Sequence, residues 1–232
     1  MNNLNEKERI RTIYDNYIKN DKYIRKWSSI NIGNKKINFE LEYEIKNILE
    51  EKQINVTNKT ILDVGCASGQ KLKILTQLGF DKSNIYGIDI RKESIKKAIL
   101  KSPESHFSMM DARKILYSND KFDFINVFTL FSSVISQNNR RKVVKEISRV
   151  LKPKGYIIYY DLRYNNPLNT NTKSMTEKNI NSLFSGFDIE KKSITLLPPL
   201  ARNLGRFTSF FYPIFSKISF LNTHFLCFIK KI

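Results

Sequence analysis

Cysteine is scarce in this chain. Its 232 residues hold two, Cys66 and Cys227, too few to staple a secreted fold and too far apart to match a metal-ligand spacing. A reduced, intracellular protein with no disulfide framework and no metal site is expected. Long apolar runs are also missing. Nothing approaches the roughly 20 apolar residues that cross a bilayer, and the longest candidate, Phe207 to Ser216, contains Pro213 and lies between Arg206 and Lys217. Met1 to Arg11 is polar and charged and carries no signal-peptide core. The expected location is the cytoplasm, with the inner membrane face as a peripheral contact. Internal repeats and low-complexity linkers are absent too. Acidic residues disappear after Glu190, while Lys191, Lys192, Arg202, Arg206, Lys217, Lys230 and Lys231 follow. Such a tail either attracts phosphate groups or anionic lipid, or is a solvated basic face. The overall charge of +18 says less, because Lys, Asn and Ile are abundant throughout.

What is present suits one α/β domain over residues 1–232. Residues 1–50 form a helical lid, with helices from Glu6 to about Lys26 and from Asn38 to Glu50. Asn31-Ile32-Gly33-Asn34 marks a turn between them. From residue 60 onward, short apolar runs alternate with amphipathic stretches. Strands are expected at Thr60–Val64, Asn84–Ile90, His106–Met110, Phe122–Phe128, Gly155–Leu162, Phe187–Leu196 and Thr223–Lys230. Helices fall at Gln70–Leu78, Ser94–Leu100, Arg140–Leu151 and Thr176–Phe184. After Pro198-Pro199 a helical insertion covers about 199–218, within a C-terminal part spanning 166–232. The alternation calls for a doubly wound, seven-stranded, mostly parallel sheet covered on both faces.

The informative segment is Ile61-Leu-Asp-Val-Gly-Cys-Ala-Ser-Gly-Gln70, a buried strand running through a glycine turn into a helix. Open α/β sheets bind ligands at the carboxyl ends of their strands, where strand order reverses. Asp89, in Tyr86-Gly-Ile-Asp-Ile90, ends the next strand and can accept both hydrogen bonds of a ribose diol. Asp111, in Met109-Met-Asp-Ala112, follows the third. Each acid could instead cap the helix after it. Three acids after three successive strands favour a ligand. Over roughly residues 55–165 the chain resembles a class I, Rossmann-like methyltransferase dependent on S-adenosylmethionine. That resemblance implies S-adenosylmethionine as cofactor and S-adenosylhomocysteine as product. Asp63, Gly65, Cys66 and Gly69 would flank the methionine end, Asp89 and Ile90 the ribose, Asp111 and Ala112 the base. Val127 and Phe128 would close strand four beneath the cofactor. Val150-Leu-Lys-Pro-Lys-Gly155 is similar to the family's turn before strand five. Ala67 departs from it, since many members have glycine there. A nicotinamide dinucleotide is the competing ligand, but its pyrophosphate wants Gly-x-Gly-x-x-Gly, and the spacing here is Gly-x-x-x-Gly.

Methyl transfer from a sulfonium is an in-line displacement that needs an aligned acceptor and, for a hydroxyl, a destination for its proton. Asp161, at the end of strand five, is the candidate general base, or else an acid that caps a loop. His224 titrates in the useful range and is the second candidate, or a structural histidine beginning the last strand. Tyr17, Trp27, Asn31, Ser132 and Arg163 are the candidate acceptor contacts. A finer resemblance, to methyltransferases of bacterial glycan or natural-product pathways, implies O-methylation of a small molecule or lipid-linked sugar. An RNA methyltransferase and a non-catalytic binder of S-adenosylmethionine remain as alternatives. Nucleic acid is less favoured, because no Asn/Asp-Pro-Pro-Tyr sequence follows strand four. The sequence specifies no oligomeric state.

Overall fold

The computed structural model describes residues 6–167 and 169–232, so Met1 to Asn5 of the expected lid lie outside the described residues. Three helices come first: α1 (Glu6–Lys19), α2 (Asp21–Lys26) and α3 (Ile32–Glu51). The alternating part follows as β1 (Ile61–Val64), α4 (Leu72–Gln77), β2 (Ile85–Asp89), α5 (Lys92–Lys101), β3 (His106–Met109), β4 (Phe122–Phe128), α6 (Gln137–Val150) and β5 (Leu151–Leu162). The chain closes with α7 (Glu177–Leu183), β6 (Phe187–Leu196), α8 (Pro198–Asn203), α9 (Thr208–Phe215) and β7 (Asn222–Lys231).

The seven strands form one sheet in the order β3-β2-β1-β4-β5-β7-β6. Only β7 runs against the others, pairing antiparallel with β5 and β6. Strand order reverses between β1 and β4, which opens a crevice at their carboxyl ends. Because strand side chains alternate between faces, β4 and β5 feed two cores. Ile125, Val127, Ile157 and Tyr159 pack toward α6 and α7. Phe124, Phe128, Ile158 and Tyr160 pack toward α3 and α4. Helix α3 buries Leu41, Ile45, Ile48 and Leu49, one helical face, against that second core, and Ile37 against Leu196, Ala201 and Tyr212.

Three local expectations change. The first expected helix breaks at Asn20, between α1 and α2. The expected turn at 31–34 is instead the start of α3: Asn31 is its N-cap, and its side chain accepts from the Asn34 amide. Gly33 serves packing there, because a Cβ on it would lie 2.2 Å from the Ala201 carbonyl oxygen of α8. The expected turn at 150–155 is the first part of β5. Leu151 pairs with Phe122, and the register then shifts before Tyr156 pairs with Phe124. This is a bulge, with Lys154 at φ +62°.

Candidate cofactor and acceptor site

One cavity of about 1010 Å³ lies at the carboxyl ends of the strands, lined by Gly65, Asp89, Asp111, Phe128, Tyr160 and His224 among others. At its β1–β2 end the chain turns sharply. Gly65, Ala67 and Gly69 have φ of +81°, +48° and +67°, so an alanine occupies a left-handed position that glycine adopts without penalty. A Cβ on Gly65 would come 3.0 Å from the Leu130 side chain. Four of the amides from Gly65 to Gly69 are spent on protein acceptors. Gly65 and Cys66 donate to the Ile88 carbonyl at 2.8 and 3.0 Å, Ala67 to Asp89 Oδ2 at 3.0 Å, and Gly69 to the Cys66 carbonyl at 2.9 Å. A phosphate needs such amides, and a ligand without one does not.

Asp89 is the best-placed acid. Its Oδ1 accepts from the Arg91 amide at 2.8 Å, its Oδ2 from Ala67, and it lines the cavity. Each oxygen of an ionised carboxylate keeps a further lone pair, which suits a ribose diol. Asp63 sits behind the turn, outside the cavity lining. Burial pushes its carboxyl up to about 6, opposed by the hydrogen bond from Asn126 Nδ2 at 2.6 Å. Asp111 lines the cavity with Ala112, and Arg113 grips its carboxylate with Nε at 3.0 Å and Nη2 at 2.7 Å. Burial raises the Asp111 carboxyl, and Arg113 more than reverses this. Ile90 and Phe128 line the cavity, whereas Cys66, Gly69 and Val127 do not. Gly69 shapes the turn, and Val127 belongs to the opposite core.

Helix α1 roofs the cavity with Glu6, Ile10, Tyr14 and Tyr17. Glu6 Oε1 accepts from the amides of Ile135 and Ser136 at 2.6 and 3.2 Å. Arg9 donates to the Ser133 carbonyl at 2.5 Å, and Arg11 to the Ile90 carbonyl at 2.9 and 3.1 Å. Tyr14 shares a 2.7 Å hydrogen bond with the Ser133 hydroxyl, and the Arg91 guanidinium lies 5.0 Å over its ring. Neither Arg91 nor Lys71 carries a periodic or motif signal of its own in the sequence, although both line the cavity.

Asp161 is not positioned as a base. It is fully buried and outside the cavity lining. Its Oδ2 accepts from the Ser132 amide at 3.0 Å and its Oδ1 from the Leu162 amide at 2.8 Å. It follows Tyr159 onto the α6 face of β5, near Arg140, whose buried guanidinium holds the carbonyls of Phe131 and Val134. Asp161 and Arg140 together fix the loop after β4. His224 does line the cavity, stacked 4.6 Å from the Tyr160 ring. Burial first, then the charges of Lys71 and Arg202, push it down to about 3, so it stays neutral and accepts protons poorly.

Among the expected acceptor contacts, Tyr17, Trp27 and Ser132 line the cavity and Asn31 and Arg163 do not. Asn31 caps α3. Arg163 donates to Ser193 Oγ and the Ser219 carbonyl and lies over the Tyr164 and Phe225 rings. Two cavity-lining threonines, Thr129 and Thr195, have φ of +53° and +73°. Both are β-branched residues in a region that such side chains avoid, a strain typical of functional sites.

The reversed strand order, the Gly65–Gly69 turn and the strand-end acids form the arrangement of the Rossmann-like methyltransferase fold. Residues 62–159 match the methyltransferase domain family. A phthiotriol/phenolphthiotriol dimycocerosates methyltransferase of Mycobacterium tuberculosis is 30% identical over 118 residues, 50% of this chain and 42% of that protein. A demethylmenaquinone methyltransferase of Thermotoga maritima is 26% identical over 145 residues, 62% of this chain and 59% of that one. The chain thus spans about half the length of the curated relatives it matches. Among solved structures, a methyltransferase of Methanosarcina mazei dependent on S-adenosylmethionine superposes with a TM-score of 0.56 at 20% identity, covering 79% of this chain and 97% of that one. That likeness establishes the fold.

Proposed function

We propose that this chain transfers a methyl group from S-adenosylmethionine to a hydroxyl of a small-molecule acceptor, carried on a lipid or a lipid-linked sugar. The observation that supports this reading most is the cavity. It runs without interruption from Asp89 and Asp111 to Tyr160, His224 and Phe220, beneath the α1 roof. A space of this form encloses a cofactor and a compact acceptor side by side. Two relatives are named as methyltransferases of phthiotriol/phenolphthiotriol dimycocerosates and of demethylmenaquinone.

When bound, S-adenosylmethionine supplies a methyl group on a sulfonium, open to in-line attack. The protein's part is alignment. Asp89 holds the ribose and Gly65 leaves room beside Leu130. The acceptor enters along Phe128, Thr129 and Tyr160. With Asp161 turned away and His224 a weak proton acceptor, the hydroxyl proton leaves to solvent and orientation provides the rate. Phe220, 72% exposed, stands at the cavity's edge. Near it in sequence, Phe207 and Phe210 of the insertion are exposed beside Arg206. This basic, aromatic surface suits peripheral contact with an anionic lipid surface.

The test uses purified protein, S-adenosylmethionine with a labelled methyl group, and a cell extract split into lipid, aqueous small-molecule and RNA fractions. Label in the lipid or small-molecule fraction is expected. Label confined to RNA would overturn the acceptor assignment and leave the cofactor assignment standing. Tight binding of S-adenosylhomocysteine with no labelled product in any fraction would make the protein a non-catalytic binder.

A further inference from the structure

His224 and Tyr160 form a flat two-ring patch of the cavity wall, their planes only 6° apart. What holds that patch is Thr195. Its neighbours Ile194 and Leu196 pair with His224 and Asn222 across the sheet, but Thr195 drops out of the ladder, at φ +73°. Its polar atoms are spent elsewhere. The Thr195 amide donates to Glu40 Oε2 at 2.9 Å, and its hydroxyl shares a 2.8 Å hydrogen bond with the Tyr160 hydroxyl. Its carbonyl accepts from the Thr223 hydroxyl at 3.2 Å. The strained backbone at Thr195 thus fixes one ring directly and reaches the other through Thr223.

That second link decides which nitrogen of His224 carries the proton. A carbonyl only accepts, so the one hydroxyl proton of Thr223 is committed to Thr195. His224 Nδ1, 2.9 Å from the same hydroxyl, must therefore donate to it. Burial and the charges of Lys71 and Arg202 keep the ring neutral, so Nε2 is left with a bare lone pair. Among the described residues Nε2 meets no hydrogen-bond partner, and it is not sealed away from the cavity. Such a nitrogen does not take a proton at neutral pH, yet it accepts a hydrogen bond. It suits a ligand group with a proton to offer, and it has nothing to give a carboxylate or another bare oxyanion.

We propose that His224 Nε2 accepts the hydrogen bond of the methyl acceptor's hydroxyl, holding it in place and selecting an uncharged hydroxyl over an anionic oxygen. This rests on the methyltransferase reading and narrows its acceptor. With its proton turned to Nε2, the hydroxyl keeps its oxygen lone pairs free for bond formation, and the proton still departs to solvent.

The chain has two histidines, so nitrogen-15 magnetic resonance of the full chain, saturated with S-adenosylhomocysteine, reads the ring directly. His106, whose Nε2 lies 3.0 Å from the Ser83 carbonyl and so carries a proton, is the internal reference. His224 is expected to be protonated on Nδ1 alone. Phenol, an uncharged hydroxyl donor, should move its Nε2 signal and leave Nδ1 nearly still. Benzoate, which has no proton to offer, should move neither. A proton found on Nε2, an Nε2 signal unmoved by phenol, or one moved equally by benzoate overturns the proposal. In the labelled transfer assay, His224→Phe keeps a ring against Tyr160 and loses the nitrogen. It should raise the acceptor concentration for half-maximal transfer by about tenfold, with S-adenosylhomocysteine affinity within about threefold. His224→Gln, whose side-chain carbonyl can stand in for Nε2, should recover most of that loss. A His224→Phe protein that matches the wild type in this assay also overturns the contact. Wild-type protein that labels no fraction is a separate result: it overturns the methyltransferase reading, while the ring spectra still decide the hydrogen bond.

Discussion

Two carboxylates near the glycine turn, Asp89 and Asp63, carry opposite burdens. Asp89 faces the cavity, and its loss should be read in ligand affinity. Asp89→Ala is expected to weaken S-adenosylhomocysteine binding by roughly 1.5–3 kcal/mol, the range for hydrogen bonds to a charged group. An unchanged affinity in calorimetry would remove Asp89 from the site. Asp63 is buried at the end of β1, and its folded value of about 6 stands above the ordinary 3.8. The folded state therefore binds its proton more tightly than the unfolded chain does. Its stabilising contribution is full below pH ~4 and is lost as pH rises through ~6, about 2–3 kcal/mol in all. Urea denaturation of wild type and Asp63→Asn across pH 4–7 should show the wild type losing stability relative to the variant as pH rises. Parallel curves would contradict this. At this scale the sequence exposed Asp63, Gly65, Asp89 and Asp111, because an acid or glycine closing an apolar run is a local pattern. For Asp161 the sequence leaves base and loop-capping acid open for an equally local reason: it also closes an apolar run, and strand alternation turns it to the α6 face while Tyr160 and Leu162 meet the cavity.

Among the elements, α3 and α8 depend on a single missing side chain. Gly33 reads in sequence as a turn residue, yet it sits in the first turn of α3 and lets the Ala201 carbonyl approach. Gly33→Ala would gain helix propensity, up to about 1 kcal/mol. The clash should outweigh it, as overpacking costs about 1–3 kcal/mol or more where the neighbour is backbone. A net loss of about 1–2 kcal/mol in chemical denaturation is expected. A stabilised variant would show that α8 is free to shift. The same ambiguity hides the β5 bulge. Lys-Pro-Lys-Gly is turn chemistry in sequence, and only the pairing of Leu151 with Phe122 draws it into the sheet. The order and kind of the strands were legible because β1, β4 and β5 are buried on both faces and read as continuous apolar runs.

For the whole molecule, the sheet and its two cores form a rigid base, and α1 lies on it in a different way. No residue of α1 is fully buried. Burial alone would raise the Glu6 carboxyl, yet Asn139 and the amides of Ser136 and Ile135 hold it below its ordinary value. Arg9 and Arg11 complete the attachment through backbone carbonyls. Charge-assisted contacts of this kind weaken as dissolved ions screen them, whereas apolar packing does not. The helix should therefore lift away far below the free energy that unfolds the core, and a closed roof must lift before a product can leave. Stopped-flow release of S-adenosylhomocysteine should speed up several-fold between about 50 and about 500 mM sodium chloride, with the melting temperature of the core nearly constant. Release rates indifferent to salt would mean that α1 stays down. Where release does quicken with salt, electrolyte works as a throttle on turnover, setting how long each spent cofactor is held.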